Sequence, residues 1–348
     1  MQVKIPVPLS PLRVGRHLLP NPVLLAPMAG ITDAPVRRMA LRHGAGLVVS
    51  EMLASQALLE GQAEMTLRAM RFDDLPAGAL HTVQLAGNDP YWMAQAARFA
   101  VGQGADLIDI NMGCPAKRVT TGAAGAALLR DLPLACRILD AVRAAVDVPV
   151  TLKTRLGWDA GAHTAPLLVA EAARIGICLV TLHGRTRCQF YTGSADWAAI
   201  GAVKAQATIP VVANGDVTCC AHARAILAAS GADGVMIGRG AQGRPWFPGQ
   251  VARFLATGLE PADPPLDQQR DILLDMLEGW LSLYGASLGV RQARKHVGWA
   301  LEAAAGVGET AGAWIRNWRA RLLTLEQPAQ LKAGIVDAFD DLNWRAAA

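Results

Sequence analysis

The chain has 348 residues, of which 52% are apolar and 18% charged, with a mean hydropathy of +0.24 and a formal net charge of +4. So much apolar surface excludes a disordered or fibrous chain, and at ~150 residues per domain the length suggests about two domains. No apolar stretch reaches the ~18 uninterrupted residues that cross a bilayer, and Met1–Ser10 alternates proline with apolar residues rather than forming a leader, so a soluble, intracellular, cytoplasmic protein is expected.

Short runs rich in Val, Leu and Ile, each ending in a polar residue or glycine, recur at 23–26, 47–50, 80–85, 107–110, 148–153, 179–182, 211–213 and 235–237. Helical periodicity lies between them at 35–43, 91–103, 134–145, 165–175, 196–206 and 222–230. Continuous apolar strands separated by helices predict a parallel sheet buried on both faces. Eight such units in ~250 residues predict an α/β fold, the (β/α)8 TIM barrel. Arg253 to Pro265 reads as a linker, and from Leu266 the pattern is helical through Leu342. The expected organisation is a barrel over 1–255, a linker at 256–265 and a smaller helical domain over 266–348.

Chemistry in such a barrel sits at the C-terminal strand ends. Those ends are Pro27-Met28-Ala29, Glu51, Gln84, Asn111, Lys153, His183, Asn214-Gly215-Asp216 and Gly238-Arg239, and together they predict one shared site. In VVANGDV and VMIGRGAQGRPW, glycines let backbone N–H groups approach an anion, the usual phosphate grip of the last two barrel loops, and Arg239 would add a charge-assisted contact. Lys153 and His183, two cationic or donor groups aimed at one ring, would favour the negative charge of a reduced flavin, so FMN suits them. Gln84 and Asn111 carry both donors and acceptors, which suits a flavin's carbonyl and imide edge. The rival is a phosphosugar with Lys153 as a Schiff-base lysine, which leaves Cys114 without a task.

The six cysteines form no CxxC pair, and a disulfide framework is not expected in a chain of this size. Cys136, Cys178, Cys188, Cys219 and Cys220 read as small buried hydrophobes. Cys114 differs, because it lies in the loop of NMGCPAKRV, beside Lys117 and Arg118, which favour a thiolate. Charge is also uneven: 263–348 holds 9 Lys+Arg against 11 Asp+Glu, yet Arg291, Arg294, Lys295 and His296 form an acid-free island, as do Arg316, Arg319 and Arg321 interleaved with Trp314 and Trp318. These read either as solvated helix faces or as contacts for a polyanion.

APMAGITD (26–33), DINMGCPAKRV (109–119), LKTRLGWD (152–159), LHGRTRCQ (182–189), VVANGDV (211–217) and MIGRGAQGRPW (236–246) together resemble the tRNA-dihydrouridine synthases, most of all the bacterial B-type members. The resemblance spans nearly all of the barrel and, more weakly, RQARKHVGWAL (291–301). It implies an FMN barrel with a helical C-terminal domain, in which FMN reduced by NADPH passes hydride to C6 of a D-loop uridine in tRNA and a cysteine protonates C5. By position, Cys114 matches the proton donor. Pro27, Met28, Ala29, Gln84, Lys153, His183, Asn214, Gly215, Asp216, Gly238 and Arg239 match the flavin shell, and Asn111 matches a residue near flavin and base. Lys117, Arg118, Arg185 and Arg187 would line the rim and meet RNA, joined by Arg291, Arg294 and Lys295 on the tail. No metal and no membrane partner are expected, and the chain reads as a monomer. The stretch Gln189–Trp197 fits the family pattern less closely.

Overall fold

The computed structural model describes residues 11–62, 76, 78–306 and 308–347, so the stretch 1–10, where no leader is expected, lies outside the described residues. Two short antiparallel strands, β1 (Arg13–Val14) and β2 (His17–Leu18), open it. Nine parallel strands follow: β3 (Val23–Leu25), β4 (Leu47–Val48), β5 (Leu53–Ala54), β6 (Thr82–Ala86), β7 (Leu107–Met112), β8 (Val150–Arg155), β9 (Leu179–His183), β10 (Val211–Asn214) and β11 (Gly234–Ile237). Their order is β4-β3-β11-β10-β9-β8-β7-β6-β5. The two edge strands, β4 and β5, are separated in sequence only by residues 49–52, so together they fill one position and close an eight-position barrel.

The run 47–50, expected as one strand, is strand only at Leu47–Val48: β4 pairs with β3, and β5, beyond the expected run, pairs with β6. Ser50 bridges the break. Its backbone N–H donates to Thr82 O at 3.0 Å, and its hydroxyl accepts from the Gln84 N–H at 2.9 Å.

Around the barrel stand α1 (Ala34–Arg42), α2 (Ser55–Leu59), α3 (Pro90–Gly102), α4 (Lys117–Thr120), α5 (Leu132–Ala145), α6 (Ala165–Ile175), α7 (Trp197–Lys204), α8 (Cys220–Ser230) and α9 (Phe247–Thr257). Asp89, Asp131 and Asp196 start α3, α5 and α7 by accepting from the N–H groups of Tyr91, Leu134 and Ala199, which satisfies donors that have no partner inside the helix. Residues 253–257, expected in the linker, are the last turn of α9, and Gly258 ends that helix at φ 76°. The tail is α10 (Leu266–Ala305), with a non-helical break at Gly285, then α11 (Glu309–Leu322) and α12 (Pro328–Ala347). No helix among the described residues is long and apolar enough to cross a membrane.

Side-chain alternation along the strands builds two cores. Leu24, Leu47, Val49, Leu107, Leu179, Val212 and Met236 fill the barrel, and Leu12, Val14 and Leu19 join the same cluster from the N-terminal strand pair. The alternate residues, such as Leu25, Ile108, Ile110, Leu152 and Leu182, belong to a second core shared with the helices, which runs on through Trp280, Leu301, Trp314, Trp318 and Phe339 of the tail. Of the five cysteines expected in a core, only Cys220 is buried; Cys188 is exposed, and Cys136, Cys178 and Cys219 are half-buried. They sit on outer helix faces, in a loop or at element ends, where smallness alone does not draw a thiol inward.

Tail and barrel are joined by charge as well as by apolar contact. The Trp280 indole N–H donates to Asp33 at 2.9 Å and the Tyr284 hydroxyl at 3.2 Å, while Arg38 and Arg42 of α1 both reach Asp275. Burial raises the Asp33 carboxyl to about 6, with Glu51 adding to the rise and Trp280 and Arg37 opposing it. A carboxyl raised in the folded state loses relative stability as pH rises from its unfolded value through about 6, at about 1.4 kcal/mol per unit. Asp33→Asn should therefore gain about 3 kcal/mol over the parent between pH 4 and 7 in urea unfolding, and an unchanged difference across that window would contradict the assignment.

Candidate active site

Near the C-terminal strand ends the barrel interior turns polar, and each group there is tied to another. Asp109 is buried; Gln84 Nε2 donates to it at 2.7 Å and the Thr151 hydroxyl at 2.6 Å. Burial raises its carboxyl, and those two donors and Lys153 pull it back. Because Gln84 Nε2 is committed to the carboxylate, Gln84 Oε1 faces Asn111 Nδ2, at 2.9 Å. Asn111 Oδ1 then accepts the backbone N–H groups of Gly113 (3.1 Å) and Cys114 (2.9 Å). One carboxylate thus sets two amide orientations and, through them, the loop bearing Cys114.

The opposite wall has a second tie. Asn214 Nδ2 donates to Met236 O at 2.8 Å, so Asn214 Oδ1 accepts from His183 Nδ1–H at 2.8 Å and from Lys153 Nζ at 3.3 Å. Burial lowers His183 well below its ordinary range, helped by Arg155 and Lys153, so the imidazole is neutral with its proton on Nδ1. Only one of the two expected cations carries charge here. Lys153 is lowered to about 8, first by burial and then by Arg155, while Asp109 and Cys114 act the other way. It is desolvated but bonded to Asn214, whereas the Schiff-base rival predicts a desolvated lysine with no partner.

At the last two strand ends, Asp216 has a left-handed backbone (φ 58°), and Gly215 (φ 133°) has no room for a side chain, since a Cβ would sit 2.6 Å from Ala195 Cβ. Arg185 holds Asp216 with two bonds, at 2.9 and 2.7 Å, and also donates to the carbonyls of Thr192 (3.1 Å) and Gly193 (2.5 Å). Asp216 in turn lies 3.4 Å from Arg239. Arg185, expected on the rim for RNA, is only 1% exposed: its donors are consumed by the loop it braces.

All eleven expected cofactor residues line one cavity of about 1040 Å³, together with Asn111, Cys114 and Arg118. Glu51 does not: it turns away and accepts the Gly30 N–H behind the first loop, and Met52 takes its place in the lining. A family model described as "Dihydrouridine synthase (Dus)" matches residues 24–339. This chain belongs to the dihydrouridine synthase family.

Among curated relatives, a "Probable tRNA-dihydrouridine synthase" of Rhodobacter capsulatus is 50% identical over 93% of this chain and 96% of its own length. A "tRNA-dihydrouridine synthase B" of Pseudomonas putida is 46% identical over 95% of each. Among solved structures, histamine dehydrogenase from Rhizobium sp. 4-9 superposes with a TM-score of 0.52 at 13% identity, covering 83% of this chain and 51% of that one, a likeness of fold alone.

For a synthase of this family the cavity fits the flavin that the resemblance implies. Its volume lies at the upper end of the roughly 300–1,000 Å³ of cofactor sites, and cation, amides and backbone donors are distributed along it. Lys153 and Gln84 would meet the ring's polar edge, and Arg239 with the Gly215 and Gly238 loops would meet a phosphate.

Arg155 escaped notice in the sequence although it lies two residues beyond Lys153 on the same strand face. Its Nε donates to Gly113 O at 2.8 Å, and its Nη1 to Thr186 O and Phe190 O at 2.9 Å each. It therefore ties the Cys114 loop to the loop after β9. Burial draws its guanidinium down to about 10, still charged at neutral pH, with Tyr191 and Cys114 opposing that fall. Gly125 (φ 59°) lets the next turn close behind: a Cβ there would come within 2.9 Å of Cys114 O. The cations coupled to Cys114 are thus Lys153 and Arg155; Lys117 and Arg118 are exposed.

The tail expectations change more. Arg294 Nη2 donates to Leu325 O at 2.8 Å and Lys295 Nζ to Gln292 Oε1 at 2.6 Å, so these two serve the tail's own structure, whereas Arg291 is exposed. Trp314 and Trp318 are buried and both donate to Asp341, which excludes them as stacking platforms. Removing Arg185 with Arg185→Met should cost roughly 2 kcal/mol in urea unfolding, below the ~3–5 of a fully buried pair because Asp216 keeps 28% exposure. The added change Asp216→Ala should recover part of that loss, and strict additivity of the two changes would argue against the coupling.

Proposed function

We propose that this protein is a flavin-dependent tRNA-dihydrouridine synthase that reduces the C5=C6 bond of a uridine in the tRNA D-loop. The observation that carries the reading is Cys114, held at the cavity wall by the Asn111 carbonyl and by Arg155 through Gly113, in the same cavity as Lys153. The family membership and the names of the relatives point the same way. FMN, held by the Lys153, Gln84 and Arg239 side of the cavity and reduced by NADPH, would supply hydride chemistry to C6 of the uracil.

The residues do the rest. Cys114 Sγ–H delivers the proton to C5 from beside the pocket, so that hydride and proton together saturate one double bond. Lys153 opposes negative charge that gathers near it, as a fixed cation in a water-poor site does. Neutral His183 cannot compete as a proton source, because its Nδ1 proton is bonded to Asn214 and Arg185 points at its Nε2 from 3.5 Å. Gln84 and Asn111 present amides already oriented before substrate arrives. The uridine must leave its stack to reach the cavity, which costs least for a loop base. The helical tail and the rim would hold the rest of the tRNA, as the resemblance implies, in a cytoplasmic enzyme.

Mass-spectrometric mapping of dihydrouridine in tRNA from cells lacking this protein tests the reading: one D-loop site should revert to uridine, and unaltered tRNA would overturn it. Cys114→Ala should keep its flavin absorbance yet reduce tRNA at least a hundredfold more slowly in single turnover, the range typical of a lost general acid. The rate should also fall as pH rises through about 8, where Lys153 gives up its proton. A Lys153→Met variant should be slow at every pH and lack that limb, so a persisting limb would assign it to another group.

A further inference from the structure

Beside the cavity, on the β7–β9 side of the mouth, cations and aromatic rings alternate. The Arg130 guanidinium lies 4.0 Å from the centre of the Trp158 indole, and the Arg187 guanidinium lies 4.6 Å from the same indole and 4.6 Å from the Phe190 ring. Phe190 lines the cavity; Arg130 is exposed. Arg187 also donates to the Thr120 hydroxyl at 3.4 Å, which joins the row to α4, where Lys117 and Arg118 stand.

Among the described residues none of Lys117, Arg118, Arg130 and Arg187 pairs with an acid, although elsewhere arginines and lysines do so freely: Arg38 and Arg42 with Asp275, Lys204 with Asp233, Arg319 with Glu302. Arg130 and Arg187 share one indole with no acid paired to either, so their like charges stand uncompensated by any carboxylate there. A guanidinium held by its face on a ring keeps its in-plane N–H donors for an outside acceptor. A row of such groups ending at the wall of the cavity has the chemistry of a single-stranded nucleic-acid track: phosphate contacts at the spacing of side chains, with rings between them.

Resting on the function proposed above, we infer that the Arg130–Trp158–Arg187–Phe190 row, with Lys117 and Arg118, is the track that holds the RNA strand flanking the extruded uridine, gripping its phosphates. Arg130 enters as a binding residue outside the quoted motifs, and Trp158 as one that lies within LKTRLGWD with no role assigned to it there. Trp158 acts by presenting two guanidiniums, not by carrying charge.

The test is binding of an unmodified tRNA transcript to the flavin-loaded full chain over a range of salt concentrations. Each phosphate contact contributes about 0.7–0.9 to the slope of log Kd against log salt. Arg130→Gln with Arg187→Gln should therefore flatten the slope by about 1.5 and weaken binding on the order of tenfold or more near 0.1 M salt, while Arg130→Lys keeps the slope. Trp158→Leu should weaken binding yet leave the slope unchanged, because every charge remains.

Flavin absorbance and melting temperature report whether each variant is folded, and exposed Arg130→Gln alone keeps the test open should the double variant fail. Parental Kd and slope in the arginine variants would overturn the track while leaving the function intact. An unsubstituted enzyme that neither binds the transcript nor forms dihydrouridine would overturn the function itself.

Discussion

A barrel sealed below by leucine and valine leaves a polar group at its upper level no bulk water to fall back on, so each must find its partner within the barrel. Asp109 is the strongest case. A carboxylate there, facing Thr151 and Gln84, leaves the Gln84 amide one orientation, and Gln84 leaves Asn111 one. The Cys114 loop is thus positioned by a charge that never reaches the cavity. On the far wall the Met236 carbonyl does for Asn214, and so for His183 and Lys153, what Asp109 does for Gln84. The site's donors and acceptors are fixed before any ligand enters, the arrangement that electrostatic catalysis requires because no reorientation then opposes the reaction.

The same rule explains why two conspicuous charges of the sequence brace each other. Asp216 stands in a left-handed conformation that costs a non-glycine residue on the order of 1–3 kcal/mol, and the two-pronged Arg185 contact offsets it. Removing the water from Arg185 requires Asp216 and the two loop carbonyls together; removing them would leave a buried cation. Arg239, half exposed beside Asp216, is the member of that row that remains available to an anion.

The strand ends were legible in the sequence because the physics there is local: an apolar run must stop before a polar residue can face a cavity, and of the thirteen residues named from that rule all but Glu51 line it. Cys114 was legible from its loop context. What local pattern could not carry was direction. Arg155 shares Lys153's face by the two-residue period of a strand, so extending β8 by one more pair would have found it. Arg185, between glycine and threonine in a loop, has no period, and its burial depends on Asp216, 31 residues on. In the tail, helical spacing places Trp314 and Trp318 on one face but does not say whether that face meets RNA or Asp341 of α12. Gly258 marked the true end of α9, but the prolines after it drew the linker too early.

Tail and first loop are not mechanically separate. Thr32, whose carbonyl takes Arg37 at 2.8 Å, precedes Asp33, and Asp33 is the acceptor for Trp280 and Tyr284 of the tail. Upstream in the same turn, the Gly30 N–H is held by Glu51, and Pro27, Met28 and Ala29 line the cavity. A displacement of α10 large enough to break the Trp280 bond leaves a buried carboxylate short of donors at the N-terminus of α1, four residues from that lining. The barrel therefore holds the tail by a contact that is costly to break, and a tRNA spanning both would find their relative orientation already set. If the proposed function holds, the tail would aim the RNA, and the cationic row at the cavity mouth would need only to receive the strand at the place where the base turns in.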